Sequence, residues 1–254
     1  MTFIQLIQIE FQKIKRAKIM PILAICPLLI IISGINSLMN YISPETEGAW
    51  QAMFVQSCLL FAYYLLPFTM IVVSILITQR EKENNGIVKM LSLPIKRQKV
   101  ALAKFIVFLF FLFIEVLLFF IFFVISGLYA ANRIGLHESV PYGYILEWSG
   151  IIFFTAIPLV SLIWMLAILF EKAILTIGIS MLMVIASVFI ANTSYWALFP
   201  FSYSGIFVTA ELSRISNGAT SLNVDLFPFI PVALLITAAS LYISSNRFGK
   251  IEIR

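Results

Sequence analysis

Few side chains in this sequence could do chemistry, and most of them stand in apolar surroundings. Glu115 is the one charged residue deep inside a long apolar run, 105–130. A carboxyl so placed either meets a cationic group in a central cavity or stays protonated and hydrogen-bonds between helices. Both readings stand at this level. His137, the single histidine, adjoins Glu138 in a polar stretch, so neither a histidine metal centre nor a Ser-His-Asp triad has a basis. A Gly-x-x-x-x-Gly-Lys-Ser/Thr phosphate loop is absent; Gly249-Lys250-Ile251 is the nearest approach and lacks the rest. Cys26 and Cys58 lie in apolar runs and read as packing residues, not as a disulfide framework. No catalytic residue and no metal ligand is therefore assigned. The chain is expected not to be an enzyme, and to carry no cofactor itself.

The elements that would hold Glu115 are membrane spans. The chain has 254 residues, 61% hydrophobic and 11% charged. A soluble domain carries about 25% charge, so this chain cannot cover a water-facing surface and the lipid bilayer must be its main solvent. Six apolar runs, at 19–39, 53–78, 105–130, 149–170, 173–193 and 226–245, each approach or exceed the ~20 residues needed to cross hydrocarbon about 30 Å thick. Only helices satisfy their own backbone in lipid. The expected fold is an all-α integral membrane protein, one domain over 1–254, with six transmembrane helices. The first run begins after residue 18 and is too long for a signal-peptide core.

Basic residues sort by side. With the N-terminus inside, fifteen of the seventeen Lys and Arg fall on inside segments, and only Arg133 and Arg214 fall outside. The positive-inside rule then places both termini in the cytoplasm. Positive charge gathers in short stretches near apolar runs rather than over a face, which argues for membrane orientation and against nucleic acid.

Three segments between the spans have their own pattern. Residues 2–18 place Phe3, Ile4, Ile7, Phe11 and Ile14 at helical spacing, with Gln5, Gln8, Gln12, Lys15 and Arg16 opposite. This predicts an interfacial amphipathic helix. Residues 79–104 form a charged island holding seven basic residues, divided by Pro94 into a helix with Ile87, Met90 and Leu91 along one side and a second helix that runs into the third span. Residues 194–210 are uncharged, aromatic and turn-rich, too broken for a span and too apolar for a free loop. They are expected to form a re-entrant segment at the outer leaflet before the sixth span. Glu171-Lys172 alone joins spans four and five, which makes these an antiparallel hairpin. Pro21, Pro27, Pro67, Pro158, Pro228 and Pro231 are expected to kink their helices.

This order of elements, with Glu81, Gly86, Leu91, Leu93-Pro94-Ile95, Arg97 and Lys104 after the second span, resembles the membrane permease subunit of type-2 ABC exporters. The resemblance implies that Glu81, Gly86, Ile87, Met90, Leu91, Pro94 and Arg97 belong to a coupling segment that docks on a separate ABC ATPase subunit, which binds the ATP. It also implies a second permease subunit, the same chain or a similar one, in the plasma membrane. The length and the Lys13-x-Lys15-Arg16 approach to the first span look most like the immunity permeases of lantibiotic and bacitracin-type systems, which expel antimicrobial peptides. Glu115, Trp196 and Phe199 are candidates for the substrate path. Three other readings remain open. One is an ion-driven secondary transporter, which calls for more intramembrane ionisable groups and two similar halves. The others are an ABC exporter of sodium, lipid or polysaccharide, and an anchor that holds an ATPase as a sensor.

The distribution of basic residues makes a direct prediction. A reporter enzyme active only outside the cell, fused after Arg254, should be silent; strong activity there would overturn the orientation.

Overall fold

The long apolar runs fold as helices because hydrocarbon offers no partner to an open peptide group. The computed structural model describes residues 2–15, 19–38, 48–83, 97–136, 138–170, 172–217, 224 and 226–249, and among these no residue is in a strand. The helices are α1 (Phe3–Lys15), α2 (Ile19–Leu38), α3 (Ala49–Leu60), α4 (Leu66–Glu83), α5 (Arg97–Ile134), α6 (Tyr142–Leu169), α7 (Ala173–Ile190), α8 (Tyr203–Asn217) and α9 (Leu226–Gly249). A π-helical turn, Phe61–Leu65, joins α3 to α4. Two 3-10 turns, Trp196–Leu198 and Pro200–Ser202, precede α8.

Among the described residues five helices are long and apolar enough to cross a membrane: Ala49–Thr78, Gln98–Arg133, Tyr142–Leu169, Ala173–Ile190 and Leu226–Phe248. The first expected span falls on α2, whose described apolar part is Ile19–Leu29. Helix α5, with 38 residues, is about 57 Å long at 1.5 Å per residue and so outreaches the hydrocarbon. It stops at Gly135, whose φ of +74° turns the chain so that Leu136 N–H bonds to Ala131 O at 3.0 Å. This closes the helix with a left-handed glycine cap.

Helix α6 lies at the centre, touching α3, α4, α5, α7, α8 and α9. The apolar windows of α7 and α9 are only 22% and 17% buried, so their outer faces meet lipid or another chain. The second and third spans meet in antiparallel order. Trp50 lies over Gly127, Phe54 packs edge-on to Phe123, and Phe61 stacks on Phe119 at 4.3 Å. Trp50 Nε1–H reaches Glu138 O at 3.3 Å, which places the start of α3 beside the end of α5. At the opposite end Gln98 donates to Asn246 at 3.2 Å, so the root of α5 lies beside the end of α9.

Proline explains the wide turn between α3 and α4. Pro67 has no N–H to give and its ring would press on the carbonyl four residues back, that of Tyr63. Widening residues 61–65 to a π turn relieves this. Pro27, Pro158 and Pro231 also stand inside helices. Pro21 and Pro228 do not act as expected: each stands in the first turn of its helix, where an N–H has no intrahelical partner to lose.

The stretch 194–210 also differs from expectation. It is broken only as far as Ser202, and from Tyr203 it is helical to Asn217. The sequence hides this because tyrosine, glycine and phenylalanine are weak helix formers, and packing supplies what propensity does not. Gly205 sits on the Tyr63 ring so closely that an added Cβ would lie 2.3 Å from it. Thr209, one turn on, meets the Tyr63 hydroxyl at 3.2 Å. In a free helix Gly→Ala gains up to about 1 kcal/mol. Here Gly205→Ala should instead cost about 1–3 kcal/mol by overpacking, read as a lower thermal unfolding midpoint in detergent. Tyr63→Ala in the same chain should cancel most of the penalty contributed by the alanine.

Candidate functional site

The charged groups buried among the described residues lie at three levels of the bundle. At the end carrying the charged island, α1 packs on α5. Its buried side runs Phe3, Leu6, Ile7, Glu10, Phe11, the i, i+3, i+4, i+7, i+8 stripe of a helix face. This corrects the expected apolar face: Ile4 is 68% exposed, and Glu10, at 3%, takes the middle of the buried stripe. Glu10 Oε2 accepts from Lys104 Nζ, itself 2% exposed, and Glu10 Oε1 accepts from Lys13 Nζ at 2.7 Å. Burial pushes the Glu10 carboxyl up, but the charges and hydrogen bonds of Lys104 and Lys13 outweigh it and hold it below the ordinary value of 4.5. Phe11 adds an edge-on contact to Phe110 at 4.9 Å. Sequence reasoning passed over Glu10. The available signal was an acid on an apolar stripe and a lysine just inside an apolar run, two groups that burial obliges to pair.

In the middle stands Glu115, fully buried, with no hydrogen-bond partner on either carboxylate oxygen among the described residues. It lies where α2, α4 and α5 meet. Thr69 and Cys26 are its polar neighbours, and the Thr69 hydroxyl is committed to Leu65 O at 2.8 Å. Phe119, one turn along α5, closes the site against Phe61. Among the described groups no counter-charge adjoins the carboxyl, and Thr69 of α4 is the hydroxyl that faces it across the helix interface.

At the far end Trp196 opens the first 3-10 turn and Phe199 joins it to the second. Trp196 stacks on Phe229 of α9 at 6.1 Å and meets Tyr203 edge-on at 6.3 Å. Phe199 packs on Phe201 at 5.8 Å. Tyr203 donates to Ala197 O at 2.6 Å, which folds the turns back onto α8. Glu211 of α8 is fully buried. It accepts from Tyr144 of α6 at 2.7 Å and from both Nε and Nη2 of Arg214. The site residues Glu115 and Trp196–Phe199 are thus at different levels and are not brought together. No cluster of three or more His, Cys, Asp or Glu able to hold a metal occurs among the described residues.

The expected coupling residues lie outside the described residues: Gly86, Ile87, Met90, Leu91 and Pro94 wholly, and Glu81 and Arg97 in their side chains. His137 is outside them as well. The described flanks fix where that segment attaches: α4 runs into it at Glu83 and α5 leaves it at Arg97.

Fold and sites together define a helical, multi-pass integral membrane protein. The profile of the ABC-2 family transporter proteins matches residues 6–187, most of the chain, and the chain belongs to that family. Membership makes it a type-2 ABC membrane permease and implies an ABC ATPase partner. No curated protein and no solved structure matches the chain.

The Glu10 cluster makes a pH prediction. A carboxyl depressed by folding contributes stability that is present above its unfolded value, 4.5, and is lost as pH falls through its lower folded value. Glu10→Ala, which removes this carboxylate from the buried Lys104, should cost about 1.5–3 kcal/mol at pH 7, the worth of a charged hydrogen bond. That deficit should shrink on acidification below pH 4.5, as the native carboxyl takes up its proton. Unfolding midpoints of both proteins across pH 3–7 (a range set by the ordinary carboxylate value) check this; a deficit constant with pH would show that Glu10 acts through packing alone.

Proposed function

We propose that this chain is the membrane-spanning subunit of an ABC exporter that expels an antimicrobial peptide of the lantibiotic or bacitracin class. A separate ATPase subunit hydrolyses the ATP, and this chain performs no catalysis. It lies in the plasma membrane with six spans and both termini in the cytoplasm. It pairs with a second permease subunit, and the segment holding Glu81, Gly86, Ile87, Met90, Leu91, Pro94 and Arg97 docks on the ATPase.

The observation that carries the substrate reading is the aromatic far end above an apolar interior. Between the ion pairs at the two ends, Glu115 is the one buried charge among the described residues. Buried hydroxyls there, such as Ser57, Thr69 and Ser74, are committed to carbonyls of their own helices, so the interior suits a hydrophilic cargo poorly. An amphipathic cargo lifted from the outer leaflet needs only a shallow route, and the far end presents one. Tyr195, Leu198 and Phe227 are 73%, 63% and 88% exposed around the packed Trp196–Phe229 pair. Aromatic side chains of this kind suit headgroup depth, where one edge is apolar and the other wet.

The test is protection. Cells carrying this chain with its ATPase should survive one class of membrane-targeting peptide in a panel of lantibiotics, bacitracin and unrelated small drugs. Trp196→Ala with Phe199→Ala should remove most of that protection at unchanged membrane abundance. Leu91→Asp should abolish both co-purification of the ATPase and protection. Equal sensitivity to every peptide, with the complex assembled, would remove peptide immunity and direct the search to sodium, lipid or polysaccharide.

A further inference from the structure

Both described arginines at the far end are engaged: Arg214 is bonded to Glu211, and Arg133 lies over the Tyr129 ring at 5.7 Å. Glu147 of α6 is exposed, and its carboxylate meets no cation or donor among the described residues. Its depth can be counted. Glu171-Lys172 return the chain to polar residues at the other end of α6. The ~20 residues that cross hydrocarbon reach back from there to about residue 150. Glu147 then stands about 4.5 Å above that boundary and Phe154 about 6 Å below it, at 1.5 Å per residue. Seven residues make two turns, so both side chains stand on one face. Phe154 is 69% exposed. Gly150, between them, has nothing within 4 Å of where a Cβ would stand, so no side chain fills the interval. Phe153 packs edge-on against Phe154 at 5.3 Å and against Phe113 of α5 at 6.0 Å, which extends the apolar side onto α5.

We infer that this face of α6 receives a cationic amphipathic peptide: Glu147 takes an ammonium or guanidinium at headgroup level, and Phe154 takes an apolar side chain about 10 Å deeper. Glu147 is thereby the residue that selects for positive charge. This rests on the peptide-export reading above and adds to it a requirement that the aromatic turns do not impose. An uncharged aromatic surface accepts any apolar chain of the right size. A carboxylate with no cation of its own attracts a basic partner and repels an acidic one. Glu138, also exposed at this end, adds charge of the same sign. A carboxylate above the boundary and a ring below it match a ligand that lies at that boundary with its charge towards water.

Binding to the full chain in phosphatidylcholine nanodiscs tests this without transport. The probes are two fluorescein-labelled synthetic amphipathic helices of one sequence, one with free lysines and one with those lysines acetylated. Anisotropy is read against empty discs. The lysine peptide should bind the chain. Glu147→Gln should weaken that binding about fivefold, the scale of one exposed ion pair, and leave the acetylated peptide unchanged. Phe154→Ala should weaken both peptides. Glu138→Gln, which removes the same charge elsewhere at this end, should leave both unchanged. Equal loss of the two peptides in Glu147→Gln, or no loss of either, would overturn the inference. Full competition by phosphatidylethanolamine added to the discs would overturn it too, by making the ligand a lipid amine. A changed oligomeric state in Glu147→Gln would do the same, by making this face a contact between subunits. If the peptides behave as expected but cells gain no protection, the charge-selective site stands and the export reading falls.

Discussion

Charge inside a bundle that has little water to offer is the constraint on which this structure depends. A carboxylate or ammonium taken into such surroundings costs several kcal/mol unless it is paired and hydrogen-bonded. The ends of the bundle obey this. Glu10 meets Lys104 and Lys13 at one end, and Glu211 meets Arg214 and Tyr144 at the other. Each cluster joins elements distant in sequence, α1 to α5 and α8 to α6. Neither α1 nor α8 is among the helices long and apolar enough to cross a membrane, and each is fastened to one that is. The clusters thus act as clamps that dock short helices onto spanning ones.

Between the clamps the bundle relies on ring packing and on glycine. Trp50 fits Gly127 and Tyr63 fits Gly205, each because a Cβ is missing from the facing helix. The second contact falls on the π turn that Pro67 imposes. That turn therefore serves three neighbours: its Phe61 stacks on Phe119, its Tyr63 receives α8, and four residues after it Thr69 adjoins Glu115. A widened turn is a natural place for a helix to bend. This one lies between Glu115 and the helix that carries the far-end clamp.

Much of this was legible in the sequence. Five of the six apolar runs are helices long and apolar enough to cross a membrane among the described residues, and the two-residue link Glu171-Lys172 joins α6 to α7, because length and polarity are what the bilayer selects. Three features were not legible. The face of α1 was misjudged because a period finds apolar residues, and Glu10 belongs to the buried face only when Lys104 arrives from 94 residues away. Helix α8 was missed because its residues are poor helix formers, and its helicity depends on the Tyr63 contact. The burial of Glu211 was hidden for the same reason: it is a consequence of α8 folding back on α6. In each case local pattern was overruled by a tertiary partner that composition cannot reveal.

The two clamps differ in what they leave mobile. The Glu211 cluster ties α8 to the central helix α6, which touches most of the bundle, while the first aromatic turn rests on α9 through Trp196 and Phe229. The Glu10 cluster ties α1 to α5, which leaves the segment 84–96 directly, while α4 enters that segment from the other side. A force applied there meets two spans that contact each other through stacked rings, a wide turn and the close fit of Trp50 on Gly127. Ring stacks can slide without exposing a charge. Glu115 lies on that seam, so relative movement of α4 and α5 changes what surrounds its carboxyl even if the ends stay clamped. The one buried charge without a described partner is therefore located where the architecture most readily allows change.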